Sequence, residues 1–177
     1  MGSPEKSGGP ASPLNEECAV HHGRLPKVLR PESAAYIAGL IDGEGTVTLT
    51  RVHSNENRRL VVSIANTEIE LLNFVLDEFG AGKITRKRSS SDRHTPSFCY
   101  SVSSRQALSL LTQILPHLRS YKRQRAELAI RHYLLLTPRN GRYTAELLAE
   151  RQQFEQALLC VKPWVGDPGN GIAADSG

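Results

Sequence analysis

The stretch Tyr36 to Gly45, YIAGLIDGEG, constrains this chain more than any other. Ala34, Ala35, Ile37, Ala38, Leu40 and Ile41 form an apolar run behind Pro31 and Glu32, residues suited to a helix's first turn. The run then meets Asp42-Gly43-Glu44-Gly45. Two glycines and two carboxylates in a row disfavour helix, so the helix is expected over 31–42, with a tight turn after it. Behind the turn comes TVTLTRV, whose alternation and β-branched content predict a strand. Ala35, Gly39 and Gly43 recur at every fourth position and share one helix face. A second helix could approach that face almost backbone to backbone. If the partner is another copy of the same helix, two acidic ends meet, and paired carboxylates at such a junction suit a divalent metal.

Ile37 to Gly45, IAGLIDGEG, resembles the motif that names the LAGLIDADG homing endonucleases. The departures are Ile37 for Leu, Gly43 for Ala and Glu44 for the second Asp. The resemblance implies that Glu44 is the metal-binding catalytic carboxylate, with a side chain one methylene longer than Asp. It implies the Gly43 carbonyl as a second ligand. The implied metal is Mg²⁺, for which Mn²⁺ or Ca²⁺ can substitute, Ca²⁺ without turnover. Asn66, ending the second strand, stands where the family has Gln or Asn near the solvent pocket. It inherits water positioning, although Asn at a strand–helix junction equally suits a helix N-cap. Lys122 follows a proline break as the family's active-site lysine does. One extra residue separates Pro116 from Lys122, so Arg119 and Arg123 stand as alternatives. Some family members carry a further cation soon after the Gln or Asn; the segment here is Glu68-Ile69-Glu70, so that group is missing or supplied from elsewhere. Asp42 is read as a structural cap and not a second ligand.

The motif occurs once and there is no internal repeat. One motif supplies one acid, while cutting two strands needs two. Single-motif members of the family homodimerise through the motif helices. That implies an interface of Ala35, Ala38, Gly39, Asp42 and Gly43, and a pseudo-palindromic target.

The rest of the chain alternates hairpins with helices. In the first hairpin, a strand is expected over 45–53 and its return over 58–65. Val47, Leu49, Leu60, Val62 and Ile64 face the core. Thr46, Thr48, Thr50, Val52, Arg59, Val61, Ser63 and Ala65 face away. Thr67 with Glu70 predicts a capping box for a helix through Phe79, with Ile69, Leu72, Val75, Leu76 and Phe79 as its buried stripe. A short strand over 83–88 and another over 98–103 make the second hairpin, in which Phe98, Tyr100 and Val102 face the core. Helices follow over 105–115, 122–136 and, capped by Thr144, 144–161.

This order predicts an α+β fold: one antiparallel sheet with helices packed on one face. It matches the αββαββα core of the LAGLIDADG family, whose sheet is saddle-shaped, with extra C-terminal helices. The open face, rich in Thr, Ser, Arg and Lys, suits base edges and phosphates, or else is a plain wet sheet. The expected DNA contacts are Thr46, Thr48, Thr50, Val52, Ser54, Asn57, Arg59, Val61, Ser63, Lys83, Thr85, Lys87, Cys99, Ser101, Arg119 and Arg123.

At 177 residues the chain is read as one domain over 31–164, between flexible tails over 1–30 and 165–177. From Arg51 to Arg142 there are 16 Lys or Arg against 7 Asp or Glu. Such a concentration fits a nucleic-acid binder or a solvated basic face. The three cysteines are too scattered for a metal pair or a disulfide framework, and His21-His22 is read as a pair within the tail. No apolar run is long enough to span a bilayer, and no secretory signal is present. The chain is therefore expected to be intracellular, its compartment left open. Arg outnumbers Lys 16 to 6, leaning towards a GC-rich genome.

No Walker, Rossmann, HExxH or GxSxG pattern offers a competing site. The expected function is a site-specific, intron-encoded DNA endonuclease whose partners are double-stranded DNA and a second copy of itself, with no membrane and no small-molecule substrate. The rivals are a non-catalytic repressor and an RNA-binding intron maturase on the same fold. The presence of Glu44 weighs against both. A purely structural role ranks below them, because it leaves the basic face unexplained.

Overall fold

The computed structural model describes residues 20–21, 25–87, 95–139 and 141–164. In chain order the elements are β1 (Val20–His21), α1 (Pro31–Glu44), β2 (Gly45–Thr50), β3 (Arg59–Asn66), α2 (Ile69–Phe79), β4 (Gly82–Arg86), β5 (Phe98–Ser103), α3 (Ser104–Ile114), a 3₁₀ turn (Leu115–His117), α4 (Lys122–His132) and α5 (Ala145–Cys160). The strands form one antiparallel sheet in the order β1-β4-β5-β3-β2.

The alternation along the strands sets the two sides of this sheet. Val47, Leu49, Leu60, Val62, Ile64, Ile84, Tyr100 and Val102 are buried beneath the helices. They meet Ile37, Ala38 and Ile41 of α1, Leu72, Val75, Leu76 and Phe79 of α2, and Leu110, Leu111 and Ile114 of α3 in one core. The αββαββα order and the one-sided packing agree with the sequence reading. Thr144 also caps α5 as expected, its hydroxyl accepting from the Leu147 N–H at 3.2 Å.

Several boundaries move. α1 runs on through Asp42 and Gly43 to Glu44, so the tight turn expected over these residues is helix. The reversal falls at Gly45, where a Cβ would lie 2.6 Å from Ile41 Cα and 2.8 Å from its carbonyl oxygen. Only glycine lets the strand leave the helix so abruptly. β2 ends at Thr50 and not at residue 53, because the chain already turns at Val52. The capping box of Thr67 and Glu70 does not form. The N-cap is Glu68, and Asn66 Oδ1 accepts from the Glu68 N–H at 2.9 Å.

The N-terminal tail was expected to reach residue 30, yet the chain is tied down before that. Val20 and His21 pair with Lys83 and Gly82. The Lys27 N–H donates to the Phe79 carbonyl at 2.8 Å, and the Leu29 N–H to Gln113 Oε1 at 2.7 Å. His22 and residues 165–177 lie outside the described residues.

Two arginines join the C-terminal helices to the sheet. Arg151 is 2 % exposed; its guanidinium donates to the Leu136 carbonyl and Thr137 Oγ1, both at 2.6 Å, and to the Arg58 carbonyl. Its Nε lies 3.2 Å from Glu155, close enough for an ion pair but not aligned as a hydrogen bond. Arg125 donates to Val47 O, on the edge strand, at 2.8 Å and to Val161 O at 2.7 and 2.9 Å. No helix among the described residues is long and apolar enough to cross a membrane.

Candidate active site and nucleic-acid interface

The C-terminal end of α1 is the most elaborated corner of the molecule. The last carbonyls of any helix lack intrahelical donors, and the resulting negative pole attracts a cation. Lys122, at the start of α4, supplies it. Its ammonium donates to the carbonyls of Ile41 at 2.7 Å and Asp42 at 2.9 Å, and the residue is only 6 % exposed. Burial pulls its pKa below the ordinary lysine value, and the neighbouring carboxylates of Asp42 and Glu44 work against that pull. Arg123 instead pairs with Glu127 on the surface at 3.1 Å, and Arg119 is exposed and meets this corner through its backbone N–H, so among the described residues Lys122 is the candidate whose cationic group bonds to the end of α1.

The two acids differ in their surroundings. The Asp42 carboxylate accepts from the Arg119 N–H at 2.7 Å, the Ser120 N–H at 3.3 Å and the Ser120 hydroxyl at 2.6 Å, so it caps the approach to α4. Glu44 is exposed and makes no hydrogen bond or ion pair among the described residues. Its oxygens stay open to an external ligand, as does the exposed backbone of Gly43. Asn66 sits at the same end of the sheet, since Gly45 pairs with Ile64 two residues before it. Its Oδ1 is engaged by the Glu68 N–H, which leaves its amide nitrogen to donate elsewhere.

From this corner the open sheet face extends in cross-strand rows. The register sets Lys83, Ser101, Ser63 and Thr46 side by side; beside them run Thr85, Cys99 and Ala65, and on the other flank Ser103, Val61 and Thr48. Thr50 and Arg59 complete the far end. Arg59, Lys83, Ser101, Ser103 and Gln106 line a groove of about 290 Å³ there. Val52, Ser54 and Asn57 are exposed in the loop beyond, and Lys87 follows β4, its N–H held by the Ser97 carbonyl at 2.7 Å. Burial pushes the Cys99 thiol up while Lys87 opposes it, so the thiol is neutral on this face. Every expected strand contact thus falls on one side, where serine and threonine hydroxyls with the cations Arg59 and Lys83 suit base edges and phosphates.

The LAGLIDADG endonuclease family model matches residues 37–128, which include the second half of α1 through Glu44, the whole open face from β2 to β5, and Lys122. The chain belongs to this family.

The LAGLIDADG fold is also seen in structural neighbours. The homing endonuclease I-CvuI, solved in complex with its target in the presence of Ca, superposes with a TM-score of 0.61 at 17% identity, covering 80% of this chain and 87% of that one. A second I-CvuI complex, with the I-CreI target in the presence of Mg and its DNA not cleaved, gives a TM-score of 0.59 at 17% identity over the same shares. The archaeal intron-encoded homing endonuclease I-Vdi141I, complexed with DNA, gives 0.50 at 15% identity, covering 72% and 82%. Among curated proteins, no sequence matches.

The LAGLIDADG helix turns its small-residue stripe outward. Ala35, Gly39 and Gly43 are exposed, and a Cβ at either glycine would meet nothing within 4 Å. Ala38, grouped with them from the sequence, is 0 % exposed. It belongs to the Ala34, Ile37 and Ile41 stripe that faces the sheet, so it cannot touch a partner directly. Asp42 is half-buried and occupied by Ser120. The outward face holds two aromatics that sequence reasoning passed over. Tyr36 is 46 % exposed and meets Phe74 of α2 edge-on at 5.2 Å. Tyr36 precedes Leu40 by four residues on this face, a periodic signal legible in the sequence; Phe74 gave none, since it lies off its own helix's buried stripe.

Proposed function

We propose that the chain is a site-specific DNA endonuclease of the single-motif homing type, acting as a homodimer on a long pseudo-palindromic target and cutting both strands to leave short 3′ overhangs. One observation carries the reading: an open carboxylate, Glu44, ends an outward-facing small-residue helix, beside a buried lysine and at the head of a polar, cationic sheet face.

The donor set fits Mg²⁺. No cluster of three or more His, Cys, Asp or Glu forms a complete cage among the described residues of one chain. Mg²⁺ is usually held by one or two carboxylates and completes its shell with water and substrate phosphate. Glu44 and the Gly43 carbonyl would hold it, and when bound it polarises the phosphate and lowers the pKa of a coordinated water. Dimerisation through Ala35, Gly39 and Gly43, with Tyr36 and Phe74 alongside, brings two Glu44 carboxylates together, one for each strand. The remaining chemistry falls to this chain's own groups. Asn66 donates its amide hydrogens to the attacking water and so orients its lone pair. Lys122, held beside the acid, opposes the negative charge that grows on phosphate oxygens in the transition state. Thr46, Thr48, Thr50, Arg59, Ser63, Lys83, Thr85 and Ser101 lie along the major groove.

Glu44→Gln tests this reading. It keeps size and hydrogen bonding and removes the charge, so the variant is expected to bind duplexes selected from a randomised palindromic library yet leave them intact with Mg²⁺. Wild-type turnover in the variant would sink the assignment of Glu44.

A further inference from the structure

We propose that Ser120 is a positioning residue for Lys122, forming with Asp42 a closed ring of hydrogen bonds that sets the ammonium against the last turn of α1. The inference rests on Lys122 being the active-site cation. Ser120 Oγ donates its only proton to Asp42 Oδ1 at 2.6 Å and accepts the backbone N–H of Lys122 at 3.2 Å. The Lys122 ammonium in turn donates to the Asp42 carbonyl at 2.9 Å and the Ile41 carbonyl at 2.7 Å. The ring therefore passes from the Asp42 side chain through Ser120 to the Lys122 backbone, along the lysine side chain, and back to the Asp42 backbone.

Each residue is gripped at two places, so the first turn of α4 cannot rotate on α1 without breaking a bond. An ammonium carries three N–H donors. Two are used on the carbonyls, and among the described residues the third has no acceptor. Holding the first two fixes the ammonium against the last turn of α1. A lysine side chain is flexible, with rotamer entropy to lose, and such a group is useful in a reaction only if its base is fixed. A hydroxyl is the smallest group that donates to a carboxylate and accepts from an N–H at once; alanine does neither.

The alternative is that Ser120 only caps α4. The test uses the full chain and a duplex obtained by selecting cleaved sites from a randomised palindromic library. Ser120→Ala and Ser120→Thr are compared with wild type for melting temperature, for duplex affinity in Ca²⁺, for single-turnover cleavage in Mg²⁺, and for the position of Lys122 Nζ in a crystal structure. Ser120→Ala is expected to bind as wild type does and to cut roughly ten- to a hundredfold more slowly, the scale of a misplacement near 1 Å. Ser120→Thr, which keeps the hydroxyl, is expected to restore the rate. In the Ser120→Ala crystal structure the ammonium is expected to have left one or both carbonyls. Cleavage by Ser120→Ala at the wild-type rate, or an ammonium still seated on both carbonyls, overturns the proposal. So does a parallel loss of affinity and rate that Ser120→Thr fails to reverse. If Ser120→Ala does not fold, Ser120→Cys carries the same test with both hydrogen bonds weakened. If wild type cuts no duplex, the endonuclease reading fails, while the crystallographic comparison still decides whether Ser120 places the lysine.

Discussion

Gly39→Leu separates the fold of this chain from its assembly, because the two respond with opposite signs. In a single chain the new side chain enters open space, since nothing lies within 4 Å of its Cβ. Replacing a mid-helix glycine removes backbone freedom from the unfolded state and stabilises the fold by about 0.5–1 kcal/mol. A domain of this size gains roughly 2–4 °C in melting temperature for each kcal/mol. Across a two-fold axis the same side chain meets a helix packed close to backbone contact. Overpacking of that kind costs about 1–3 kcal/mol for each intruding side chain, and symmetry counts it twice. The dimer should weaken by roughly 2–6 kcal/mol, a rise in Kd from about thirtyfold to beyond ten-thousandfold. Sedimentation velocity over a concentration series gives the Kd, and thermal unfolding of the dissociated variant gives the fold term. A wild type monomeric at every concentration, or a variant with unchanged Kd, refutes the dimer face. A variant that unfolds earlier as a monomer refutes the outward orientation of Gly39. Gly45→Ala is the contrasting control, expected to destabilise the chain itself because its Cβ would strike the Ile41 backbone.

Lys83→Ala should alter base preference at one position in each half-site, by roughly 1–3 kcal/mol if its contact is to guanine, whereas Arg119→Ala should weaken binding uniformly and flatten its salt dependence. Cleavage profiles on all single-base variants of the target distinguish the two, and an unchanged profile for Lys83→Ala removes it from the base-reading set. Arg151→Met should cost roughly 3–5 kcal/mol in denaturant unfolding, since it strips the donors from the buried carbonyl of Leu136 and from that of Arg58. Tyr100 is fully buried with its hydroxyl donating to the Ala81 carbonyl at 2.7 Å, and burial raises its pKa above the free value. The stability linked to that group is complete below about pH 10 and declines as pH climbs from the unfolded pKa to the raised folded one. Tyr100→Phe should lower stability at neutral pH but flatten its alkaline decline, read from unfolding midpoints between about pH 8 and 11.

The sheet was legible because a strand with one buried face must alternate, and Val47, Leu49, Leu60, Val62 and Ile64 do so with the period of a pleat. The corner around Glu44 was legible as a motif but not as a geometry. Local propensity ends α1 at Asp42, yet the helix continues to Glu44, because Lys122 and Ser120, some 80 residues away, bind its last carbonyls and its carboxylate. Such long-range partners override propensity and leave no trace in a local window. The same reason hid Arg151, which is polar by type and 2 % exposed only because α5 docks onto the β2–β3 hairpin end. The failed capping box at Thr67 has a local cause: Asn66 engages the Glu68 N–H first and shifts the cap by one residue.

The register of the open face also governs how changes to it will combine. Within a row such as Lys83, Ser101, Ser63 and Thr46, neighbours sit directly opposite one another on adjacent strands, about 4.5–5.5 Å apart at Cβ. Side chains two apart on one strand are separated by roughly 6.6 Å, and those two rows apart by twice that. Retargeting substitutions within a row will therefore be epistatic, each altering what its neighbour can reach. Substitutions drawn from Thr50 or Arg59 at one end and Thr85 or Cys99 at the other will combine nearly additively. A library that randomises whole rows as units, and then recombines them, follows the grain of this surface.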